Sequence, residues 1–181
     1  MLIRTVRESD FAPIAELTNY FIEKTTIHFG YEPVTPEELC FSWTKTRTQY
    51  PYLVAEVDGQ FAAYAKAGVW RDRTAYSWTT ETGIYVRNEF HRRGVGKALY
   101  SALLETLRGQ GFHSAIGGIA LPNDASVQLH RALGFEHVGT VKRAGWKFNA
   151  WHGVSFWQIE FAAAEHRAVP IKPPPEVSVE R

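Results

Sequence analysis

The pattern of apolar and polar positions in the first half of the chain predicts a strand, two helices and a β-hairpin. The apolar run Ile3–Val6 predicts a strand, and Ser9-Asp10 after it offers side-chain oxygens that can cap a helix. Thr35 begins a second predicted helix, because this hydroxyl precedes a proline and two acidic residues. Two apolar runs within Tyr52–Val69 flank Asp58-Gly59, a dipeptide typical of a tight hairpin turn.

Strand-like and helix-like patterns alternate in the second half of the chain. Apolar residues from Val95 to Thr106 recur every three or four positions, which places them on one face of a helix over Gly94–Gly109. The other predicted elements are strands over Tyr76–Val86 and His113–Ile119, a helix from Asn123 to Leu133 that ends at Gly134, and aromatic strands around Val138–Lys147 and Gly153–Phe161. This order predicts an α/β fold in which helices cover a mixed sheet.

The chain length predicts a single domain, since 181 residues lie within the usual range of about 100–200 residues per domain. We place the domain over residues 1–165 and a proline-rich C-terminal tail over residues 166–181. The run from Val169 to Glu176 holds four prolines, so it cannot continue a helix or a central strand. We expect the tail to be extended over the surface or disordered.

Composition and charge exclude several classes of protein. Twenty Lys and Arg residues against nineteen Asp and Glu residues leave a net charge of +1, which favours neither nucleic acid nor a membrane as a partner. The single cysteine, Cys40, excludes an internal disulfide and a site with several thiolate ligands, and no histidine has metal-ligand spacing. We expect no metal. The N-terminal residues do not resemble a signal peptide and no apolar run is long enough for a membrane span, so we expect a cytoplasmic protein.

Residues 84–97 combine the features of a phosphate-binding loop. Gly94 and Gly96 open the predicted helix, whose free N–H groups and dipole favour a negatively charged ligand. Three basic residues at positions 92, 93 and 97 add charge-assisted hydrogen bonds. A Walker loop is excluded because His91 and Ala98 occupy its glycine and hydroxyl positions, and a dinucleotide fingerprint is excluded because Leu99 replaces its third glycine.

The run His91-Arg-Arg-Gly94-Val-Gly96 resembles the R/Q-x-x-G-x-G/A loop with which GNAT superfamily N-acetyltransferases hold the pyrophosphate of CoA, with His91 in place of Arg or Gln. Leu121–Ser126 and His130–Phe135 resemble the next element of that family, where an Asn contacts the CoA arm. The resemblance implies a GNAT-like, mostly antiparallel sheet with splayed central strands, and acetyl-CoA as the co-substrate. It implies CoA contacts from Ile84, Tyr85, Val86, Arg92, Arg93, Gly94, Val95, Gly96, Lys97 and Asn123.

Further segments are similar to the phosphinothricin acetyltransferase subfamily. They are Tyr31-Glu-Pro, Pro51–Gly59, Trp70-Arg-Asp-Arg73, Trp78-Thr-Thr-Glu81, Leu121–Asp124 and Trp151–Gln158. This resemblance implies an enzyme that acetylates the amino group of a small amino-acid-like substrate, such as phosphinothricin, methionine sulfoximine or methionine sulfone. It also implies a homodimer, for which the late aromatic residues would suit an interface.

Glu81 is the predicted general base, because the resemblance places the base of the subfamily at this position. Acetyl transfer needs an uncharged amine, so a base has to remove a proton directly or through water. The alternative is a solvated or ion-paired strand carboxylate. His130 lies where many superfamily members carry a tyrosine that protonates the leaving thiolate, and an imidazole could serve as acid or base there. The alternative is a half-buried histidine that bonds a neighbour.

Arg71 and Arg73 are predicted to bind acidic groups of the substrate, because the matching positions of the subfamily are basic and guanidinium forks suit such oxygens. The alternative is a solvated basic loop. Residues that match the substrate pocket of the subfamily, and could equally be plain core, are Phe29, Tyr76, Tyr85 and Val154.

Two rival functions remain open from the sequence. One keeps the chemistry but acetylates a protein N-terminus or a polyamine, and the near-neutral charge and the Arg71/Arg73 pair count against a polycation. The other is a catalytically silent acyl-CoA-binding module, against which Glu81 argues, because a binding module needs no base.

Overall fold

A computed structural model describes residues 1–161 and 168–181, and within them the chain forms eight strands and four α-helices. Three short 3-10 turns lie at Glu8–Asp10, Thr74–Tyr76 and Asn88–Phe90. The strands and helices in chain order are β1 (Leu2–Thr5), α1 (Phe11–Lys24), α2 (Pro36–Thr46), β2 (Tyr52–Val57), β3 (Gln60–Val69), β4 (Thr79–Val86), α3 (Val95–Gln110), β5 (Ser114–Ala120), α4 (Asp124–Ala132), β6 (Glu136–Lys147), β7 (Ala150–Glu160) and β8 (Ser178–Glu180).

The strands form one sheet in the order β6-β7-β5-β4-β3-β2-β1-β8. Within the described residues only β4 and β5 run parallel, so the sheet is mixed and mostly antiparallel, as predicted. Helix α3 packs on one face and contributes the fully buried Leu99, Tyr100, Leu103 and Leu107. Helix α1 covers the other face with Phe11, Ile14, Leu17 and Phe21. Each face therefore has its own apolar core.

The parallel strands β4 and β5 separate partway along their length. Their pairing ends at Thr82 opposite Gly117, although β4 continues to Val86 and β5 continues to Ala120. Beyond that point β4 pairs only with β3, and β5 pairs only with β7. This confirms the predicted splay of the central strands and leaves an opening in the middle of the sheet.

Local sequence signals explain where several elements begin. The Thr35 hydroxyl accepts a hydrogen bond from the Glu38 N–H at 3.2 Å, and the Glu38 carboxylate accepts one from the Thr35 N–H at 2.8 Å. This capping box starts α2 as predicted. The hairpin turn also forms at Asp58-Gly59, where both residues have positive φ (53° and 76°).

Asp10 does not cap α1 with its side chain, contrary to the sequence prediction. Its carboxylate instead accepts hydrogen bonds from the Arg4 guanidinium at 2.7 and 2.8 Å and from the Arg7 N–H at 2.7 Å. Arg4 also pairs with Glu56 at 2.5 Å, so the three side chains tie β1 to β2. A buried guanidinium without hydrogen-bond acceptors costs more free energy than a helix end without a side-chain cap.

The predicted strand from Tyr76 is too long at its start. Residues 74–76 form a 3-10 turn instead, in which the Tyr76 N–H donates to Arg73 O at 2.9 Å, and β4 begins only at Thr79. Tyr76 therefore precedes the sheet, and its side chain is exposed.

Residues 168–181, the part of the tail that the structure describes, contain no helix and end in the edge strand β8, which pairs antiparallel with β1. The predicted boundary between residues 165 and 166 lies outside the described residues. None of the helices that the structure describes is both long enough and apolar enough to cross a bilayer.

Candidate active site

The opening between β4 and β5 forms a cleft with a volume of about 440 Å³. It is lined by the diverging ends of both strands, by the N-terminal turn of α3 and by one side of α4. Nine of the ten residues predicted to contact CoA line it: Ile84, Tyr85, Val86, Arg92, Gly94, Val95, Gly96, Lys97 and Asn123. The tenth, Arg93, lies beside the cleft, where its guanidinium faces Asp58 at 3.9 Å and the ring of Phe90.

The N-terminus of α3 presents unbonded backbone donors to this cleft. The first backbone hydrogen bond of the helix runs from the Ala98 N–H to Gly94 O at 3.0 Å. Within the described part of the chain, the N–H groups of Val95, Gly96 and Lys97 therefore have no intrahelical acceptor. Gly94 takes a left-handed conformation (φ 79°), which a residue with a Cβ adopts only at a cost. The result is a cradle of N–H groups at a positive helix end, suited to a phosphate.

Two side chains at the ends of the cleft have local structural roles as well. His91, the departure from the family pattern, donates from Nε2 to Val86 O at 3.1 Å and so ties the loop to the end of β4. The Asn123 side-chain oxygen accepts from the Ser126 N–H at 3.2 Å and caps α4, as predicted for this position.

Residues of β4 alternate between the two faces of the sheet, and this alternation sorts the predicted catalytic groups. Thr82 lies on the α3 face, where its hydroxyl is 2.7 Å from that of Tyr100. Tyr85 lies on the α1 face, where its ring centroid is 5.1 Å from that of Phe21. Glu81 shares the parity of Tyr85 and therefore also lies on the α1 face. His130, on α4, lies on the opposite face.

Two consecutive glycines of β5 separate Glu81 from His130. A Cβ built on Gly117 would lie 2.8 Å from His130 Cδ2 and closer still to Nε2, so the imidazole rests directly on this glycine. A Cβ built on Gly118 would lie 3.7 Å from Glu81 Oε1 on the other face. The two predicted catalytic side chains are thus near the same point of β5 but on opposite sides of the sheet.

Glu81 has the electrostatic character of a base. Its side chain is exposed, yet partial burial raises the pKa of the carboxyl above its ordinary value, and the positive charge of Lys66 opposes the rise. A carboxylate with a raised pKa accepts a proton more readily than an ordinary one.

His130 is only 4% exposed and is held at both ring nitrogens. Its Nδ1 lies 2.8 Å from Ser126 O, and because a carbonyl can only accept, Nδ1 carries the proton. Nε2 then accepts from the Tyr100 hydroxyl at 3.2 Å. Burial lowers the pKa of His130, although the bond to Ser126 opposes this, so the ring is neutral at pH 7.

The predicted substrate residues lie around the α1 face of the opening. Val154 pairs with Ala120 and approaches Gly118, while Phe29 lies against Gly145 of β6. Tyr85 stacks on Tyr64 with ring centroids 5.1 Å apart, and burial raises its pKa to about 12. Tyr85 and Val154 thus lie near the opening, whereas Phe29 lies against the edge strand β6.

The other predicted substrate residues lie on the exposed loop between β3 and β4. The Arg71 guanidinium lies 5.4 Å from the ring of Trp70 and 5.8 Å from that of Tyr76. Trp70 in turn packs edge-on against Phe156 of β7, with centroids 5.7 Å apart. These contacts fix the root of the loop beside β7, whereas Arg73 extends into solvent.

The polar residues of the site that sequence reasoning missed include Tyr100 and Lys147. Tyr100 occupies the buried face of α3, where an aromatic residue is read as plain core, and only the fold brings its hydroxyl to His130. Lys147 is 3% exposed, and its ammonium donates to His28 O at 2.6 Å and to Ile22 O. It thereby holds the segment that carries Phe29. A lysine inside a predicted aromatic strand was a signal that could have pointed to this role.

Comparisons with known proteins agree with this geometry. The family described as Acetyltransferase (GNAT) domain matches residues 3–154. A phosphinothricin N-acetyltransferase of Streptomyces viridochromogenes is 44% identical over 159 residues, which cover 88% of this chain and 87% of that protein. An L-methionine sulfoximine/L-methionine sulfone acetyltransferase of Pseudomonas aeruginosa is 35% identical over 159 residues, covering 87% and 92%.

A solved structure has the same fold and contains the co-substrate. It is a GNAT superfamily phosphinothricin acetyltransferase from Sinorhizobium meliloti in complex with AcCoA, with a TM-score of 0.84 at 33% identity, covering 87% of this chain and 86% of that one. The splayed sheet, the glycine cradle and these matches lead to one conclusion. The chain belongs to the GNAT family of N-acetyltransferases, which confirms the fold and the enzyme class predicted from its sequence.

Proposed function

We propose that this enzyme transfers the acetyl group of acetyl-CoA to the amino group of a small amino-acid-like substrate, such as phosphinothricin, methionine sulfoximine or methionine sulfone. The relatives that carry these substrates in their names support the substrate class. The observation that carries the proposal is the position of Glu81, which has a raised pKa and lies beside the side-chain-free Gly118 at the opening of the sheet.

The residues at the cleft fit acetyl-CoA. Three N–H groups at the start of α3 can bind the pyrophosphate, and Arg92 and Lys97 add positive charge at the same end. When bound, acetyl-CoA supplies an activated thioester carbonyl for the amine to attack. In the described residues no cluster of three or more metal-ligand side chains occurs, and the proposal needs no metal.

The side chains of this chain have separate parts in the proposed reaction. Glu81 removes the proton that the amine must lose, either directly or through water. Arg71 and Arg73 bind oxygens of the substrate side chain, and Phe29, Tyr76, Tyr85 and Val154 form the walls of the acceptor site. For His130, the neutral ring bonded at both nitrogens supports a positioning role rather than proton transfer. It shapes the α3 side of the cleft together with Tyr100.

Coenzyme A release with a panel of amines tests the function directly. Release with methionine sulfone, methionine sulfoximine or phosphinothricin, and not with polyamines or peptide N-termini, is the expected result. Tight acetyl-CoA binding without release from any amine would favour the silent binding module. Release with peptides alone would favour the protein acetyltransferase.

The cradle gives a matched pair of variants in one helix. Gly96 lines the cleft, and its added Cβ would lie 3.4 Å from Val86, so a leucine side chain there fits the backbone but occupies the space meant for the co-substrate. We expect Gly96→Leu to weaken acetyl-CoA binding at least about 10-fold, as titration calorimetry would measure, since each lost charged hydrogen bond costs about 1.5–3 kcal/mol.

Gly109→Leu is the control for this variant. It lies in the same helix with nothing within 4 Å of an added Cβ, and both substitutions gain the same helix propensity. Equal affinities in the two variants would remove the start of α3 as the phosphate cradle.

We also propose that the enzyme is a homodimer. Trp146, Phe148 and Trp151 are 45–57% exposed around the turn between β6 and β7, and β6 is an edge strand of the sheet. Such exposed aromatic groups are typical of interfaces. Sedimentation velocity is expected to show a dimer that Trp151→Glu converts to monomer. A monomeric parent chain would contradict this.

The cytoplasm is the proposed location, because the unpaired Cys40 requires no oxidising compartment.

A further inference from the structure

Lys66 is a charged residue on the α1 face of the sheet, the face that carries Glu81. The proposed mechanism does not use it. It lies in the middle of β3, opposite Gly83 of β4 and Tyr52 of β2. Its parity places it on the same face as Tyr64, which stacks on Tyr85, and therefore on the same face as Glu81. β3 pairs directly with β4, and Lys66 lies between two apolar residues of its strand, Ala65 and Ala67.

Lys66 forms no close ion pair within the described residues. Its ammonium has no carboxylate within 4.0 Å there, and Nζ lies 5.8 Å from the centroid of the Tyr52 ring. The side chain is exposed, yet desolvation lowers the pKa of the ammonium while Glu81 opposes the shift. Solvent therefore reaches the ammonium, although neighbouring protein atoms remove part of its hydration.

Glycines form the surface between Lys66 and Glu81. Gly83 lies opposite Lys66, Gly68 lies opposite Glu81, and Gly118 flanks Glu81 from β5. A Cβ added at Gly68 would meet nothing within 4 Å, and one added at Gly83 would meet only Tyr85 at 3.9 Å. Lys66 and Glu81 are diagonal neighbours across two antiparallel strands, so their backbones are about 7–8 Å apart. Because glycines stand opposite both residues, no other side chain of β3 or β4 fills the surface between them.

We propose that Lys66 binds the carboxylate of an α-amino-acid acceptor whose amine lies at Glu81, and that it is a specificity-determining residue of this enzyme. The inference rests on the proposed function, since it assumes an amine acceptor at Glu81. The two ends of the site have opposite charges, and an α-amino acid carries its amine and its carboxylate on one carbon. Arg71 and Arg73, on the loop beyond the end of β3, remain for the oxygens of the substrate side chain.

The chemistry of this arrangement distinguishes two groups of amines. A carboxylate that reaches Lys66 gains a charge-assisted hydrogen bond in a partly desolvated site, and it relieves the cost of keeping the ammonium there. An amine without the carboxylate gains neither. Lys66 is thus expected to select acceptors and to leave the base Glu81 to act on whichever amine is bound.

The test compares methionine sulfone with its descarboxylated analogue, 3-(methylsulfonyl)propylamine, in the parent enzyme and in Lys66→Met and Lys66→Arg. We expect Lys66→Met to lower kcat/KM for methionine sulfone by about 10- to 100-fold, mainly through KM. The same variant should change kcat/KM for the analogue less than 3-fold, and Lys66→Arg should restore part of the loss for methionine sulfone. Lys172→Met is the matched control. The Lys172 N–H donates to Gln110 O, at the last residue of α3, and this variant should behave like the parent with both amines.

Binding measured by calorimetry in the presence of coenzyme A makes the inference independent of turnover. If the parent binds methionine sulfone better than the analogue and Lys66→Met abolishes the difference, the inference stands even when no acetyl transfer occurs, and the proposed function alone fails. If Lys66→Met affects both amines equally, or neither, the inference is wrong even though the acetyltransferase remains active.

Discussion

Glu81→Gln is expected to lower kcat/KM for the acceptor by about 10²–10⁴-fold, the usual contribution of a general base. Glutamine keeps the size and the hydrogen-bonding reach of the side chain but cannot take a proton. Steady-state coenzyme A release with methionine sulfone measures the effect, and binding of acetyl-CoA should be unchanged because Glu81 does not line the cradle. A variant with parental rates at every pH would remove Glu81 from the mechanism.

The pH dependence has a definite sign. The base must be ionised, so kcat/KM is expected to fall as the pH drops through the pKa of Glu81, which lies above its ordinary value. Glu81→Gln should abolish this acidic limb. The folded-state pKa is raised above the unfolded one, so the folded state binds the proton more tightly, and stability falls as the pH rises from the ordinary value through the raised value. Glu81→Gln should therefore be at least as stable as the parent at pH 7, which separates lost chemistry from lost fold.

Gly117→Ala is expected to give the largest loss of stability among simple changes at the site. The new methyl group would overlap the ring of His130, which cannot move easily because Ser126 and Tyr100 hold both of its nitrogens. Overpacking of this kind costs about 1–3 kcal/mol, equivalent to a fall in Tm of several degrees. We expect acetyl transfer to fall with it, since the ring lines the cleft.

A double-mutant cycle identifies the cause. In His130→Ala the overlap is gone, so Gly117→Ala should cost little when added to it. Thermal unfolding of the four proteins measures the coupling, and purely additive losses would mean that the imidazole does not rest on Gly117. The pH–rate profile of His130→Ala should keep the shape of the parent profile if the ring only positions the cleft wall. Loss of one limb would instead establish His130 as an acid or a base.

Sequence alone predicted most elements of the fold because their signals are local. The Thr35 box, the Asp58-Gly59 turn and the one-sided apolar stripe of α3 each depend on residues within a few positions of one another. The sequence does not predict the positions of Asp10 and Tyr76 correctly. The Asp10 carboxylate binds the guanidinium of Arg4, a contact between elements, and Tyr76 ends a 3-10 turn that the strand-like pattern does not indicate.

The site was partly predictable for a similar reason. The glycine loop and Asn123 act mostly through local backbone, so the sequence is enough to find them. The bonds of His130 were hidden because Tyr100 and Gly117 reach it from other elements. Lys66 could have been suspected, since one cation interrupts an apolar strand, but only the register of β3 and β4 shows that it lies diagonally from Glu81.

The two glycines of β5 give each face of the sheet its own point of variation at the opening. Odd and even positions of a strand belong to different sides, so a replacement at Gly118 alters the surroundings of Glu81, and one at Gly117 alters the surroundings of His130. A designer can therefore change the neighbours of one of these side chains without adding an atom beside the other. A single inserted residue in β5 would exchange the two sides and disable both at once.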